Sequence, residues 1–429
     1  MKLFMRRPVK GLRIMPTSER DLLQKIKHIS YHQCTHCAVC QNRLGPPLIR
    51  LSQLPLTEIF FPQPVHEPMG SQDQNFHFCS NCGHGQLSHI LDPHMLYGNT
   101  YSFRTSLSRT ARQAAVVFLD FIQETIGRRT FDQIIELGCN DLFMLKALAG
   151  RGRSCLGIDP VLAHVPRKGL PPHWELLADF VENISLESKL KGTKHLIIGS
   201  HVLEHVANPL TLMKHWIYHA LDKTLFIFQF PDLQMLVEDG HFDQIFHQHL
   251  HYFTLSSFRF LLEEAGGELV SYRRNPHHWG ALMVTFRKRC KISRARCAKK
   301  ISNGFVTSQS IGNQYRAFQE GMHLVGKKME TLNGQRIYGY GAAALVPILN
   351  YHLKGGLSRL QCILDDDRKK VGWFYLNLPV PISWSHRFKD LSEVVLFITA
   401  VTAVMNIRSI LGKMVSRNPR QIIVPYNIF

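Results

Sequence analysis

The sequence predicts an α/β protein in three parts: an N-terminal zinc-binding module, a central Rossmann-like doubly wound domain and a C-terminal Rossmann-like α/β domain. Three observations carry that prediction. Two Cys-x-x-Cys pairs lie in the first hundred residues, apolar strands alternate with helical patterns from Asp132, and the alternation restarts near Arg336. The 429 residues are 45% hydrophobic and 19% charged, a globular composition that suits roughly two to four domains. The boundaries read as a basic N-terminal extension (1–33), the cysteine module (34–100), the central domain (101–288), a linker with a helical segment (289–335) and the C-terminal domain (336–429).

Charge and hydropathy set the function classes. Lys and Arg number 51 against 32 Asp and Glu, a net charge of +19. Such an excess favours anionic ligands such as phosphorylated small molecules. The densest cluster, Arg287 to Lys300, holds eight basic residues in fourteen and no aromatic for base stacking. It therefore reads as a solvated linker helix, and nucleic acid is not the expected partner. No apolar run approaches the ~20 residues that span a bilayer. No apolar segment follows the basic start, Met1 to Arg13, so no signal peptide is expected. The expectation is a cytoplasmic protein with no membrane contact; the oligomeric state is not readable.

The cysteines come next in the chain. Cys37-Ala-Val-Cys40 and Cys79-Ser-Asn-Cys82 are separated by 38 residues. Each pair puts two thiolates on one tight turn, and two turns complete a tetrahedral sulfur site, so structural zinc is predicted. Cys34, His36 and His84 are spare donors nearby. Cys139 and Cys155 read as small core residues, while Cys290, Cys297 and Cys362 show no metal spacing.

In the central domain, Gln133 to Gly138, Cys155 to Asp159, Leu196 to Gly199 and Leu225 to Phe228 read as buried parallel strands. Helices are expected at Leu142–Leu148, Pro209–His219 and Phe258–Ala265, and Glu268–Tyr272 with Ala281–Arg287 closes the domain as a hairpin. Ligands of such sheets sit at the carboxyl ends of the strands. There Glu136 and Gly138 form an acid-x-Gly turn, where glycine admits a close ligand. Asp159 ends the second strand 21 residues after Gly138, where an acid can bind ribose hydroxyls. Asp179-Phe180 follows the next strand and suits an adenine. This acidic order favours S-adenosylmethionine (SAM), whose sulfonium is cationic, over a dinucleotide, which would want more glycines at the turn.

With these residues in place the chain resembles a known family. Glu136-Leu-Gly-Cys-Asn140-Asp141, Gly157-Ile-Asp-Pro160 and His201-Val-Leu-Glu-His205-Val206 look like the zinc-containing class I SAM-dependent C-methyltransferases that act on nucleotide-linked deoxy-keto-sugars. Gly83-His-Gly-Gln-Leu87, Phe242 to His249, Gly339 to Ala342 and Asp365 to Gly372 extend the resemblance over about residues 34–429. It implies a cytoplasmic enzyme of deoxysugar biosynthesis that methylates a carbon alpha to the 4-keto group. A base removes the alpha proton and the enolate attacks the SAM methyl, a task that suits histidine. By the same resemblance His249 is the base, with His205, Gln248 and Tyr101 beside it. Glu136, Gly138, Asn140, Asp141, Asp159, Asp179, Phe180 and His201 then bind SAM.

The resemblance also has departures. Leu142 stands where glycine is common, which predicts a crowded cofactor turn. Phe246 replaces Tyr, Gln248 replaces Glu, Gln229 replaces Glu, Phe103 replaces Tyr, and Trp279 replaces the first Gly of a His-Gly-Gly turn beginning at His278. These changes leave open a different small-molecule acceptor, or a non-catalytic scaffold that binds zinc and SAM.

In the C-terminal domain, Arg336–Tyr340, Arg359–Asp365, Val394–Val401 and Gln421–Pro425 read as strands, and Leu378 to Ile382 as a rigid loop. Gly339-Tyr-Gly341-Ala-Ala-Ala344 with Asp365 would by itself suit NAD, and Pro347 fits the following helix with some strain. The resemblance instead assigns this domain to the nucleotide-sugar. Tyr340, Gly341, Ala342 and Lys370 are its candidate contacts, with Phe246 and His278 from the central domain.

Overall fold

The computed structural model describes residues 19–425 apart from Pro68, residues 98–103, Leu107, Pro166, Lys168, His278, residues 290–305 and residues 401–403. The sequence expectations for Tyr101, Phe103, His278, Cys290 and Cys297 therefore fall outside the described residues.

Helix α1 (Glu19–Lys27) buries Leu22 and Ile26 against Met69 and Leu376. Strand β1 (Tyr31–Gln33) lies in the segment read as an extension, yet it pairs along its length with β6 (His89–Leu91). Between them run β2 (Ile49–Pro55), β3 (Phe60–Phe61), β4 (Ser71–Cys79) and β5 (His84–Leu87). In β2 the alternation of Ile49 and Leu51 inward is broken by a bulge that turns Leu54 inward as well. A short helix, α2 (Pro93–Leu96), follows with Asp92 capping its first turn.

The central domain opens with α3 (Arg109–Ile126), capped by Ser108 and ended by Gly127 at φ +56°. Its buried face, Ala111, Ala114, Ala115, Phe118 and Ile122, follows helical spacing. Then come β7 (Phe131–Leu137), α4 (Phe143–Leu148), β8 (Gly152–Ile158), β9 (Trp174–Leu177), β10 (His195–Ser200), α5 (Pro209–His219), β11 (Leu225–Pro231) and α6 (Leu233–Glu238). After them β12 (His251–Tyr252) leaves the domain to pair with β5 of the cysteine module, in the order β12-β5-β4-β2. Helix α7 (Leu255–Glu264) leads into the hairpin β13 (Gly267–Asn275) and β14 (Ala281–Lys288).

The seven central strands run in the order β13-β14-β11-β10-β7-β8-β9. Five are parallel, and β14 and β13 are antiparallel, so the expected parallel sheet is a mixed one. The chain reverses direction across the sheet between β7 and β10, which opens a crevice at their carboxyl ends. Arg287 and Lys288 end β14, and Arg289 donates to the Gly267 carbonyl at 3.1 Å, so the basic cluster does not begin as a helix.

Helix α8 (Ser308–Glu330) joins the central domain to the C-terminal one. Next are β15 (Arg336–Tyr340), α9 (Val346–His352), β16 (Cys362–Asp365), β17 (Phe374–Tyr375), β18 (Ile382–Trp384), β19 (Val394–Ile398), α10 (Val404–Val415) and β20 (Gln421–Ile423). A parallel sheet of order β18-β16-β15-β19-β20 forms the core. Pro347 is in the first turn of α9, where its missing N–H costs no hydrogen bond, so no strain arises. The Pro-rich stretch stops being a loop at Ile382, which pairs with Ile363. Strand β17 pairs with β3, tying this domain to the cysteine module.

Candidate active site

A cavity with a mixed polar and apolar lining sits at the β7–β10 crevice. Its cofactor side is built from the turn after β7. Gly138 sits at φ +64°, and a Cβ there would lie 3.1 Å from Val202. Asn140, at φ +45°, donates its N–H to Asp159 Oδ2 at 2.8 Å, and Asp159 Oδ1 accepts from Val161 N–H at 2.9 Å. Asp159 therefore clamps the turn as well as lining the cavity.

Glu136 is buried beneath this turn and lines the cavity. Burial pushes its carboxyl well above the usual range, and the nearby Asp159 and Asp141 carboxylates add to the effect. It takes a hydrogen bond from the Leu145 backbone, while Oε2 has no partner among the described residues.

Leu142 overturns the expectation of a crowded turn. Its backbone is left-handed, φ +67° and ψ 21°, and its side chain is buried in the core with Met144 and Leu145. The leucine points away from the cavity, so its cost is backbone strain. Asp141 and Asp179 also do not line the cavity. Asp141 accepts from Ser106 N–H at 2.9 Å, and Asp179 accepts from Phe180 N–H at 2.8 Å and from Asn183. Phe180 itself faces the cavity and meets the His94 ring edge-on at 5.0 Å.

The other side of the cavity is a histidine cluster. His201, at φ +53°, bonds Glu204 Oε1 through Nδ1 at 2.9 Å, and burial pushes its imidazole down to about 4. Glu204 is fully buried, which pushes its carboxyl up to about 7. His205 Nδ1 lies 2.7 Å from the Gln248 carbonyl and 2.7 Å from Tyr97 Oη. A carbonyl only accepts, so this network assigns the proton to Nδ1 and leaves Nε2 as the lone-pair nitrogen. Burial keeps His205 below the ordinary imidazole range, hence neutral near pH 7.

The ring of His249 stands 5.1 Å from His205 and 4.2 Å from Phe246. Donor atoms of Glu204, His205 and His249 lie within 4.8 Å of one another. Of the alternating histidines 247, 249 and 251, only His249 lines the cavity. His247 is tied to the Leu54 carbonyl and His251 to the Val206 carbonyl, each at 2.9 Å. Gln248 accepts at Oε1 from Thr57 Oγ1 at 3.1 Å, and Gln229 is held by Ser200 and Asn275. Trp279, at φ +66°, keeps its bulk against the cavity.

Among the cavity residues that escaped the sequence reading are Thr57, Glu58 and Tyr97. Thr57 lies 191 positions from its partner, and no spacing rule reaches that far. Tyr340, Gly341 and Ala342, expected at the substrate, do not line the cavity; Ala344 and Leu345 do. Tyr340 donates to Asp366, and Ala342 N–H donates to Asp365 Oδ2 at 2.6 Å. An aspartate thus occupies the N–H that a dinucleotide phosphate would take. Lys370 donates to the Ala342 carbonyl at 2.6 Å.

The four predicted thiols converge in the cysteine module. Sγ of Cys37 is 3.7 Å from that of Cys82, and Cys40 is 3.5 Å from Cys79. Zn–S bonds of ~2.3 Å in a tetrahedron give edges of about 3.8 Å, so the set fits zinc. Each knuckle is followed by a left-handed residue, Gln41 at φ +60° and Gly83 at φ +78°. Cys34 stays outside the set, His36 bonds Thr35, and His84 bonds His251.

Residues 109–272 match the family described as methyltransferase domain. The central part accordingly has the α/β methyltransferase fold with a mixed sheet. Among curated proteins the chain is 26% identical over 276 residues to C-methyltransferase NovU of Streptomyces niveus, covering 62% of this chain and 65% of that protein. Solved structures with some likeness include N-methyltransferase NodS from Bradyrhizobium japonicum with S-adenosyl-L-homocysteine (12% identity, TM-score 0.32, 43% of this chain and 90% of that one). Another is the 1,6-didemethyltoxoflavin-N1-methyltransferase of Burkholderia thailandensis (16% identity, TM-score 0.30, 43% and 80%). The domain match assigns a methyltransferase domain to the central part, and the chain spans about 65% of the length of the curated relative it matches.

Proposed function

We propose that the protein is a SAM-dependent C-methyltransferase whose acceptor is a nucleotide-diphosphate 4-keto-deoxysugar. One observation carries the reading: a single cavity has the buried Oε2 of Glu136, without a partner among the described residues, beside the Gly138 turn at one end and the His205–His249 pair at the other. The first end fits a cationic ligand carrying a ribose, with Asp159 for its hydroxyls and Phe180 for its base. When bound, SAM supplies an electrophilic methyl group.

His249 then acts as general base on the carbon next to the acceptor's ketone. His205, held by the Gln248 carbonyl, stands beside the enolate that forms. Glu204 fixes His201 at the cavity wall. Segments 34–100, 101–288 and 336–429 divide the work as zinc module, methyltransferase and acceptor-binding domains, with Cys37, Cys40, Cys79 and Cys82 holding a structural zinc. The relative named for C-methylation supports attack at carbon.

Calorimetric titration of the purified protein with SAM and its demethylated product tests the cofactor end. Mass spectrometry of keto-sugar nucleotides after incubation tests the acceptor end, where transfer adds one methyl mass. His249→Ala is expected to abolish transfer while SAM affinity stays within about twofold. Undiminished transfer by that variant overturns the base assignment.

A further inference from the structure

Removing a proton from carbon places negative charge on the acceptor oxygen, in a cavity whose walls already carry the carboxyls of Glu136 and Asp159. A neutral donor is needed there. The Nδ1–H of His205 is committed to the Gln248 carbonyl, so the neutral imidazole offers no second N–H. Glu58 is a cavity carboxyl that can fill that role, beside the hydroxyl and amide donors of Tyr97, Ser200 and Gln248.

Glu58 is half-buried on the loop between β2 and β3. Its backbone sits at φ +60°, a region costly for a residue with a Cβ. The preceding residue, Thr57, bonds the side chain of Gln248, next in sequence to His249. Both Thr57 and Glu58 line the cavity with His205 and His249. The cysteine module therefore delivers a carboxyl into the pocket where Gln248 has none.

We propose that Glu58 is a catalytic carboxyl of this pocket, donating a hydrogen bond from its neutral form to the enolate oxygen that forms when His249 removes the alpha proton. The proposal rests on the keto-acceptor reading above. In the step, the C–H bond breaks, its proton goes to His249, and its electron pair spreads onto the oxygen. The carbon then bonds the methyl as the C–S bond breaks with its pair on sulfur. Glu58 keeps its own proton throughout.

The surroundings suit a carboxyl poised between two states. Burial pushes Glu58 up to about 7, against the opposing pull of the Lys370 ammonium and the Arg104 guanidinium. The Glu58 carboxylate in turn helps to raise the buried Tyr375 phenol, and His205 and His249 share the cavity. A charge developing on the acceptor raises Glu58 further and keeps it neutral.

The test is the pH profile of kcat, with SAM and a nucleotide-linked 4-keto-6-deoxyhexose, for wild type, Glu58→Gln and Glu58→Ala. Wild-type kcat is expected to fall above pH ~7, where Glu58 ionises. Glu58→Gln, which donates at every pH, loses that alkaline limb and lowers kcat about threefold at pH 6. Glu58→Ala lowers kcat at least tenfold across the range, while SAM affinity by calorimetry stays within about twofold and shows the fold intact. An alkaline limb that persists in Glu58→Gln, or a Glu58→Ala variant within twofold of wild type, overturns the assignment and leaves the acceptor reading standing. No methyl transfer by the wild type overturns the acceptor reading, and this proposal with it.

Discussion

Thr57 of the cysteine module donates its hydroxyl proton to the side-chain oxygen of Gln248, 191 residues later, at 3.1 Å in a buried setting. Through that bond a loop far from the methyltransferase sheet braces the segment that carries His249. His247 braces the same segment from the other side by bonding the Leu54 carbonyl of β2. The cysteine module is thus a wall of the pocket as well as a neighbouring fold.

Thr57→Ala leaves the buried Gln248 oxygen without its donor, at a cost of about 1–3 kcal/mol. The expected outcome is a lower Tm and a kcat reduced roughly tenfold, with calorimetric SAM affinity unchanged because the cofactor turn is untouched. Thr57→Ser, which keeps the hydroxyl, restores kcat to within a few-fold. Steady-state kinetics on the three proteins checks both statements.

Metal removal tests the same coupling from further away. The four sulfurs are spaced for a tetrahedral ion, and a structural zinc contributes apparent folding free energy of order 10 kcal/mol. Elemental analysis is expected to find one zinc per chain, and Cys79→Ser to lower that content below half. Since the module carries Thr57 and Glu58, chelation is expected to abolish methyl transfer even though none of these four thiols lines the cavity. Full activity in a zinc-free protein would sink this link.

Most of the central strands were legible because buried parallel strands are short apolar runs bounded by turns, as Leu196 to Gly199 shows. The thiol cluster was legible because its spacing is local to each knuckle. What could not be read was contact between distant segments: Thr57 on Gln248, Tyr97 on His205, β3 on β17. Nor could the sequence separate three alternating histidines. Which of them faces the cavity depends on backbone carbonyls, Leu54 and Val206, that capture the other two.

Those captured histidines make stability depend on pH. His247 is fully buried, and burial pushes it down to about 4, against an ordinary value of 6.5. Its folded form stays neutral while the unfolded chain takes up a proton below 6.5. The unfolded state then binds more protons, so stability from this residue is intact above pH 6.5 and drains away as pH falls toward 4. The loss approaches roughly 3 kcal/mol at the acid end. His247→Gln, which keeps a donor for Leu54, is expected to narrow its stability deficit relative to wild type steadily between pH 7 and pH 4.5, measured by urea unfolding. A deficit constant across that range would refute the assignment.

Leu142 separates two views of the cofactor turn. If its side chain crowded the site, Leu142→Gly would tighten SAM binding. The side chain instead lies in the core at 1% exposure, on a left-handed backbone of φ +67°. Glycine relieves a backbone cost of about 1–2 kcal/mol, but emptying a buried leucine site costs about 2–5 kcal/mol. The second effect is the larger, so Leu142→Gly is expected to lower stability by a net ~1–3 kcal/mol and to leave SAM affinity within about twofold. Urea unfolding and calorimetric titration of the same preparation measure both quantities. Tighter SAM binding with unchanged stability would restore the crowded-turn view and place the leucine in the cavity.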